Sequence, residues 1–465
     1  MNYSLLAIPV VLFISFSCQG PHSEETLIFD SLEKLPSVSV NDASTFSMGN
    51  ENILIRGKQQ EITLESIQLL SGFTAALKIE DETVCLENPT SFTKYPFAAK
   101  QFYQLENQGL EVNQLQIISN DKLGVTLLYS IKNVDNSSKS IRFQFQPSTD
   151  LKPSVLMDST HGSNALDQIS YDEVTGVFTA KDEANEWYAV WGSNTEFSLS
   201  PNNSDCMPNA ADLGASAGFE VAVELAANEE KVIPVFIAGS DQGEFTAMET
   251  LIDLRAGLYS DWDTNFALID SLQKTAKISI PNLELQAAYD WSKYKIGLFE
   301  FNEAGEAQGS AFNPDELHSI LDELSKDFIS QLDADLFLFD ESKPRHIAPG
   351  WELIQPSTLI LMGIHGDAEN RVTYIRPNLP ADWKEASIDN LWVEDNKISI
   401  SITSKEDQMT VEVTQTQKKA GLSIELPVEF SKVKVLGKEV STDTKDGYRR
   451  ILMTGDHVKV EAEKN

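Results

Sequence analysis

The chain is 465 residues long, enough for two or three domains with well-buried cores. It carries 36 Lys and Arg against 71 Asp and Glu, a formal net charge of −35. So acidic a surface repels phosphate backbones and anionic lipid headgroups, which excludes nucleic-acid binding and peripheral membrane attachment through charge.

Residues 1–18, MNYSLLAIPVVLFISFSC, hold an apolar run from Leu5 to Phe16 that ends at Ser17-Cys18. The run falls short of the roughly 20 residues of a membrane span and fits the core of a signal peptide. The small residue before Cys18 resembles a bacterial lipoprotein cleavage box, which makes Cys18 the expected lipid attachment site and 19–35 a polar tether. No Lys or Arg precedes the run, and Ser15-Phe16 match such a box loosely, so an ordinary secretory signal with an incidental Cys18 is the other reading. In an exported chain Cys85 and Cys206 sit in an oxidising compartment and can form a disulfide. Two buried thiols are the alternative, and the sequence does not choose between them.

From 36 to 240 short runs alternate with period two and are broken by Gly, Asn, Asp and Ser. ILIRG (53–57), GVTLLYSIKNV (124–134), SIRFQFQP (140–147) and VIPVFIAG (232–239) are examples, and they predict a large antiparallel β-sandwich. Asp135-Asn136-Ser137-Ser138 is a natural turn between two of them. Between 241 and 281 apolar residues such as Met248, Leu251, Ile252 and Leu258 take helical spacing, predicting linker helices. Pro281 breaks the chain, and 283–299 reads as another amphipathic helix. Asn313-Pro314-Asp315-Glu316 marks a further helix start, followed by an apolar face at Leu317, Ile320, Leu321, Leu324 and Phe328. A last helix is expected over 356–364. From 372 to 465 ISISIT, MTVEVT, GLSIEL, KVKVLG and HVKVEA give strand signals for a compact all-β domain. The expected fold class is therefore mainly β with a small helical middle.

Within this order lie motifs with a known likeness. Pro377, Leu379, Pro380 and Trp383 form a P-x-LP-x-x-W step, and Asn390, Leu391 and Val393 an N-L-x-V strand. Ala288, Trp291, Lys293 and Tyr294 give A-x-x-W-x-K-Y, and Leu361, Gly363, Ile364, Gly366 and Asp367 an exit turn. Together they resemble bacterial six-hairpin glycosidases, whose sandwich, linker, helical toroid and C-terminal β-domain come in this order. The glycogen-debranching and oligosaccharide-glucosidase-like members are the nearest in pattern. The resemblance implies a toroid of twelve helices, which at about 11 residues per helix and about 5 per loop needs roughly 190 residues. Only 84 residues lie between 282 and 365. The segment 282–371 is thus expected to be a truncated toroid.

Glycoside hydrolysis needs two carboxyl groups flanking the bond. Among the many acidic residues of the middle segment Glu352 is the candidate, because it follows Gly350-Trp351, where the resemblance places aromatic and acidic groups near the sugar cleft. Trp291 and Tyr294, three apart on one helix face, and Trp351 are the candidate sugar-binding aromatics. Trp187 and Trp191 share a strand face and read as core. The six histidines show no metal-ligand spacing, and no phosphate loop or nucleophile elbow occurs, so no metal and no cofactor are expected. The expectation is an exported, lipid-anchored, glycan-associated protein that binds carbohydrate or is degenerate, touching the membrane only through its anchor. An active glycoside hydrolase and a structural envelope lipoprotein are the alternatives.

Overall fold

Strands such as Gly124–Asn133 and Glu230–Ser240 carry apolar residues at both parities, so both of their faces demand cover. A computed structural model gives the architecture that supplies it, describing residues 24–41, 46–49, 52–64, 66–119, 121–154, 163–200, 206, 213–294, 300–301, 307–308, 362–367, 370–380, 382–393, 395–445 and 447–464. These strands lie in a nine-stranded antiparallel sheet, ordered Val38–Ser39, Ser91–Lys94, Ala98–Leu105, Leu110–Ile118, Gly124–Asn133, Glu230–Ser240, Tyr188–Ser193, Val177–Asp182 and Asp167–Asp172. Val125, Leu127, Tyr129 and Ile131 face one way, into a sandwich core; Leu128, Phe236 and Ala238 face the other.

The partner in the sandwich is an eight-stranded antiparallel sheet. Its order is Ser198–Leu199, Phe219–Leu225, Lys139–Pro153, Ile67–Ile79, Glu61–Leu64, Ile53–Arg56 and Ser47–Gly49, with Glu82–Cys85 paired to the far half of Ile67–Ile79. Here the alternation is clean. Ile141, Phe143 and Phe145 join the core while Arg142, Gln144 and Gln146 point away from it. Trp187 and Trp191 are core residues, and Trp191 stacks on Phe178 at 5.4 Å. The turn at 135–138 carries the chain from the nine-stranded sheet into the eight-stranded one, where Asn133 Nδ2 donates to Ser137 O (2.7 Å).

The outer face of the nine-stranded sheet is covered by one helix, Glu244–Lys274, where the sequence predicts several. Ala247, Leu251, Leu254, Leu258, Trp262, Asn265 and Ile269 recur every three or four residues and bury a single stripe. Ile252, next to Leu251 and so about 100° around the helix, is 57% exposed. Trp262 packs edge-on against Phe97 at 4.9 Å and donates from Nε1 to Ser31 Oγ (3.0 Å). Ser31 ends a short helix, Glu24–Ser31, which corrects the expected tether over 19–35. Ile28, Leu32 and Leu35, spaced by four and three, are buried in the same core, so the chain is docked from this helix onward.

The strand Lys277–Ser279 then adds to Glu385–Val393 at the edge of a seven-stranded sheet, and Asn390 Nδ2 donates to Lys274 O (3.0 Å). The helix Leu283–Ser292 follows, capped by Asn282 Oδ1, which accepts from Leu285 N (2.8 Å). It joins two cores. Leu285 and Tyr289 belong to the C-terminal core, Trp291 and Tyr294 to the core under the long helix. The helix expected at 313–328 and residues 356–361 of the one expected at 356–364 lie outside the described residues, while 362–364 form a turn and the start of the strand Ile364–Asp367 in place of a helix end.

The C-terminal β-rich part is a second sandwich. Its seven-stranded sheet faces a five-stranded one, ordered Ile364–Asp367, Val372–Ile375, Gly421–Pro427, Tyr448–Thr454 and Asp443–Lys445, in which Val372–Ile375 and Gly421–Pro427 run parallel. Ile398, Ile400, Ile402, Val411, Val413, Leu422, Ile424 and Leu426 fill the space between them. In the P-x-LP-x-x-W step Trp383 is 3% exposed and its N–H closes a turn to Pro380 O (2.9 Å). Gly363 has φ +71° and lies so close to the Arg376 carbonyl that no side chain fits there. Among the described residues no helix is long and apolar enough to cross a membrane.

Trp262 is the largest single anchor of the helix on the sheet. Trp262→Ala is expected to lower unfolding stability by about 3–5 kcal/mol, and Ser31→Ala, which removes the bond from Trp262 and the one to Ile28 O, by about 1–3 kcal/mol. Urea unfolding followed by circular dichroism checks both values.

Candidate functional site

Where the eight-stranded sheet turns away from its core, polar residues occupy the outward positions, and Gln144, Gln146 and Ser148 among them are buried. The register places Cys85, Ala76, Gln144, Glu220 and Ser198 in one row across five strands, all on this face. Gln144 Nε2 donates to Glu220 Oε2 (3.3 Å), and Arg142, one pair further along, donates to Glu220 Oε1 (3.3 Å). In the next row Gln146 Nε2 donates to Ser216 Oγ (3.4 Å), whose hydroxyl donates to Pro147 O (2.7 Å). Gln146 Oε1 and Ser148 Oγ are buried and find no partner among the described residues. Each such orphan costs about 1–3 kcal/mol in a folded chain, so two side by side call for a reason.

Cys85 forms a disulfide with Cys206, 121 residues on, with the Cα atoms 5.5 Å apart. Because Cys85 shares the face of Gln144, the bridge holds the chain at Cys206 against this polar surface. Cys206 is 2% exposed.

One end of the face runs into three buried carboxylates, Asp150, Asp167 and Asp182. Asp150 accepts from Gln68 Nε2 (3.2 Å), Lys152 Nζ (2.6 Å) and Asn164 Nδ2 (3.1 Å). Asp182 accepts from the backbone of Ala165, Ala184 and Asn185 and from the Asn185 amide, which ties two loops together. Asp167 opposes Asp182 in register and accepts from Leu151 N (3.1 Å), but its Oδ1 finds no donor. Burial pushes the Asp167 carboxyl up to about 6; hydrogen bonds from Thr149 and Leu151 oppose the shift, and the charges of Asp182 and Asp150 add to it. Such a group takes up its proton near pH 6, well above an ordinary aspartate, and is mostly ionised at neutral pH. Its depth suits it to holding the strand end in place. Among the described residues no group of acidic, His or Cys side chains is arranged to hold a metal ion.

The sequence candidates fall elsewhere. Trp291 and Tyr294 do share a face, with rings 5.7 Å apart at 88°, but that face lies in the core, at 6% and 4% exposure. A sugar platform needs an open ring face, so core packing replaces the expected sugar-binding role of these two residues. Glu352, Trp351 and Cys18 lie outside the described residues. The residues of the polar face were not singled out by sequence reasoning. Their signal was the outward set Arg142, Gln144 and Gln146 in SIRFQFQP, too rich in amides for a merely solvated strand.

Comparison with known proteins finds no matching family model and no matching curated protein. Among solved structures, a kojibiose phosphorylase from human microbiome shows a TM-score of 0.39 at 12% identity, covering 55% of this chain and 39% of that one. A bacterial glucoamylase complexed with acarbose gives 0.33 at 11%, covering 55% and 41%. A polysaccharide lyase gives 0.29 at 8%, covering 92% and 46%. The chain spans less than half the length of each. Overlap this weak in shape and sequence assigns the chain to no family.

The Asp167 carboxyl yields a pH signature. Its folded pKa, about 6, lies above the ordinary 3.8, so between these values the folded state holds a proton that the unfolded chain has lost. Its contribution to stability is greatest below that window and falls as pH rises through about 6, by roughly 3 kcal/mol in all. Asp167→Asn removes this dependence. Thermal unfolding of both proteins is expected to show the variant gaining on the wild type as the buffer moves from acid to neutral.

Proposed function

We propose that this chain is an exported, lipid-anchored protein that binds glycan without hydrolysing it, through the polar face of the eight-stranded sheet. The observation that carries the reading is the array of amide, carboxylate and guanidinium that Gln144, Glu220 and Arg142 form on that face, with the Arg142 side chain 59% exposed. Saccharide hydroxyls both donate and accept, and amides and carboxylates in a fixed array are the groups that orient them. The motif order around Trp383, with its resemblance to glycan-cleaving enzymes, and the shortness of the segment between 282 and 365 favour binding over turnover.

Calorimetry with α-glucan and with plant and algal oligosaccharides is the test. At least one is expected to bind, and Gln146→Ala or the more exposed Arg142→Ala should weaken it about tenfold, the worth of one or two hydrogen bonds. Silence across the panel removes the binding role. Release of free sugar by the wild type replaces it with a hydrolase.

Export and anchoring rest on the apolar run before Cys18 and are supported by the Cys85–Cys206 bridge, which belongs to oxidising compartments. Expression in a bacterial host with labelled palmitate is expected to label the wild type in the membrane fraction and to leave Cys18→Ser unlabelled. Equal labelling of the two proteins rejects the anchor.

A further inference from the structure

The five-stranded sheet also has an outer face, and its chemistry differs from that of the polar face. Ile364, Ile375, Leu422, Ile424, Leu426 and Ile451 point into the C-terminal core, which turns their neighbours outward. The register gives two outward rows. One runs His365, Tyr374, Ser423 and Leu452; the other runs from Arg376 through Glu425 to Arg450 and Asp443.

Glu425 is the hub of the second row. It is only 3% exposed, yet it stands on the outer face because two guanidiniums lie over it. Arg376 donates from Nε to Glu425 Oε2 (2.7 Å) and also engages that oxygen through Nη2. Arg450 donates to Oε1 from Nε (2.8 Å) and pairs with it through Nη2 (2.6 Å). Burial disfavours the Glu425 charge, but the two arginines outweigh it and hold the carboxyl below its ordinary range. A guanidinium has five donors. Glu425 engages two on each arginine and leaves the rest directed elsewhere, on side chains that are 45% and 32% exposed.

One carboxylate thus holds two guanidiniums side by side at the surface, with Asp443 opposite Arg450 at the end of the row, in a chain whose net charge is −35. Their rotamers are set in advance, which removes an entropy cost from any anion that meets them. The rim is aromatic and apolar. Arg376 stacks on Tyr448 at 4.4 Å, His365 and Tyr374 lie 6.1 Å apart, and Leu452 is 71% exposed. Ser423, between Tyr374 and Leu452 in register, is fully buried, and its Oγ finds no partner.

We propose that this face is a binding site for an acidic saccharide, whose anionic group is gripped by Arg376 and Arg450 while its ring lies across Tyr448 and Leu452. Paired planar forks match the oxygens of a carboxylate or a sulfate, and flat apolar side chains match the face of a pyranose. A buried ion-pair triad kept for stability alone would need neither the exposed leucine nor the aromatic rim. The site is separate from the polar face of the eight-stranded sheet and does not depend on it.

The test is calorimetry of the full chain with four probes: a uronate tetrasaccharide, a sulfated galactan tetrasaccharide, maltotetraose and inorganic sulfate. Binding of the uronate, the sulfated glycan or both is expected, identifying which anion is read, with affinity falling as salt is raised. Arg376→Gln should weaken binding at least about tenfold. Because that change leaves Glu425 with one partner and can disturb the fold, Leu452→Glu is the second variant. It places a negative charge at an exposed position and should abolish binding of the acidic glycan while the melting temperature stays unchanged. The proposal is overturned if neither acidic glycan binds, if Arg376→Gln and Leu452→Glu weaken maltotetraose as much as the acidic glycans, if inorganic sulfate binds as tightly as the glycans, or if both variants bind the acidic glycans like the wild type.

Discussion

The constraint on which the rest of the molecule depends is the double burial of the nine-stranded sheet. Its central strands are apolar on both faces, so neither face can meet water. One is closed by the eight-stranded sheet, the other by the helix Glu244–Lys274 together with the docked helix Glu24–Ser31. The outer face of the eight-stranded sheet has a different composition. There the strands carry Arg142, Gln144, Gln146 and Glu220 in place of Val and Leu. The asymmetry between the two sheets is therefore the origin of the polar surface.

Much of this was legible in the sequence. The clean alternation of SIRFQFQP and the continuous apolar run of VIPVFIAG differ in a way that separates a strand with one buried face from a strand with two. Both were read as strands; that one presents a row of amides follows only when register fixes the neighbours. Ile28, Leu32 and Leu35 keep helical spacing, but acidic neighbours make the stretch look like a tether. Leu251 and Ile252 are adjacent and equally apolar, and only the direction of the helix on the sheet decides that Ile252 faces solvent. Trp291 and Tyr294 show the limit of periodicity. It tells that two rings share a face and is silent on whether that face looks in or out. The meeting of Asp150, Asp167 and Asp182, and of Cys85 with Cys206, is set by sheet topology and has no local trace.

Both polar surfaces are built on sandwich faces, and they use different devices. On the eight-stranded sheet amides and hydroxyls stand beside the Arg142–Glu220 ion pair and a disulfide. On the five-stranded sheet a sunken carboxylate aligns two cations. The first array is suited to hydroxyl-rich ligands and the second to charged ones, and a chain of strongly negative overall charge needs such a device to attract an anion at all.

The strand Lys277–Ser279 lies ahead of the middle segment in the chain, yet it completes the seven-stranded sheet by pairing with Glu385–Val393. Cutting the gene at the start of the second β-rich region would therefore strip that sheet of its border and bare the backbone groups of Ser387, Ile388 and Asp389. Bare borders of this kind recruit other copies and clump. The C-terminal sandwich is consequently a poor choice for isolated production unless residues from 275 onward travel with it.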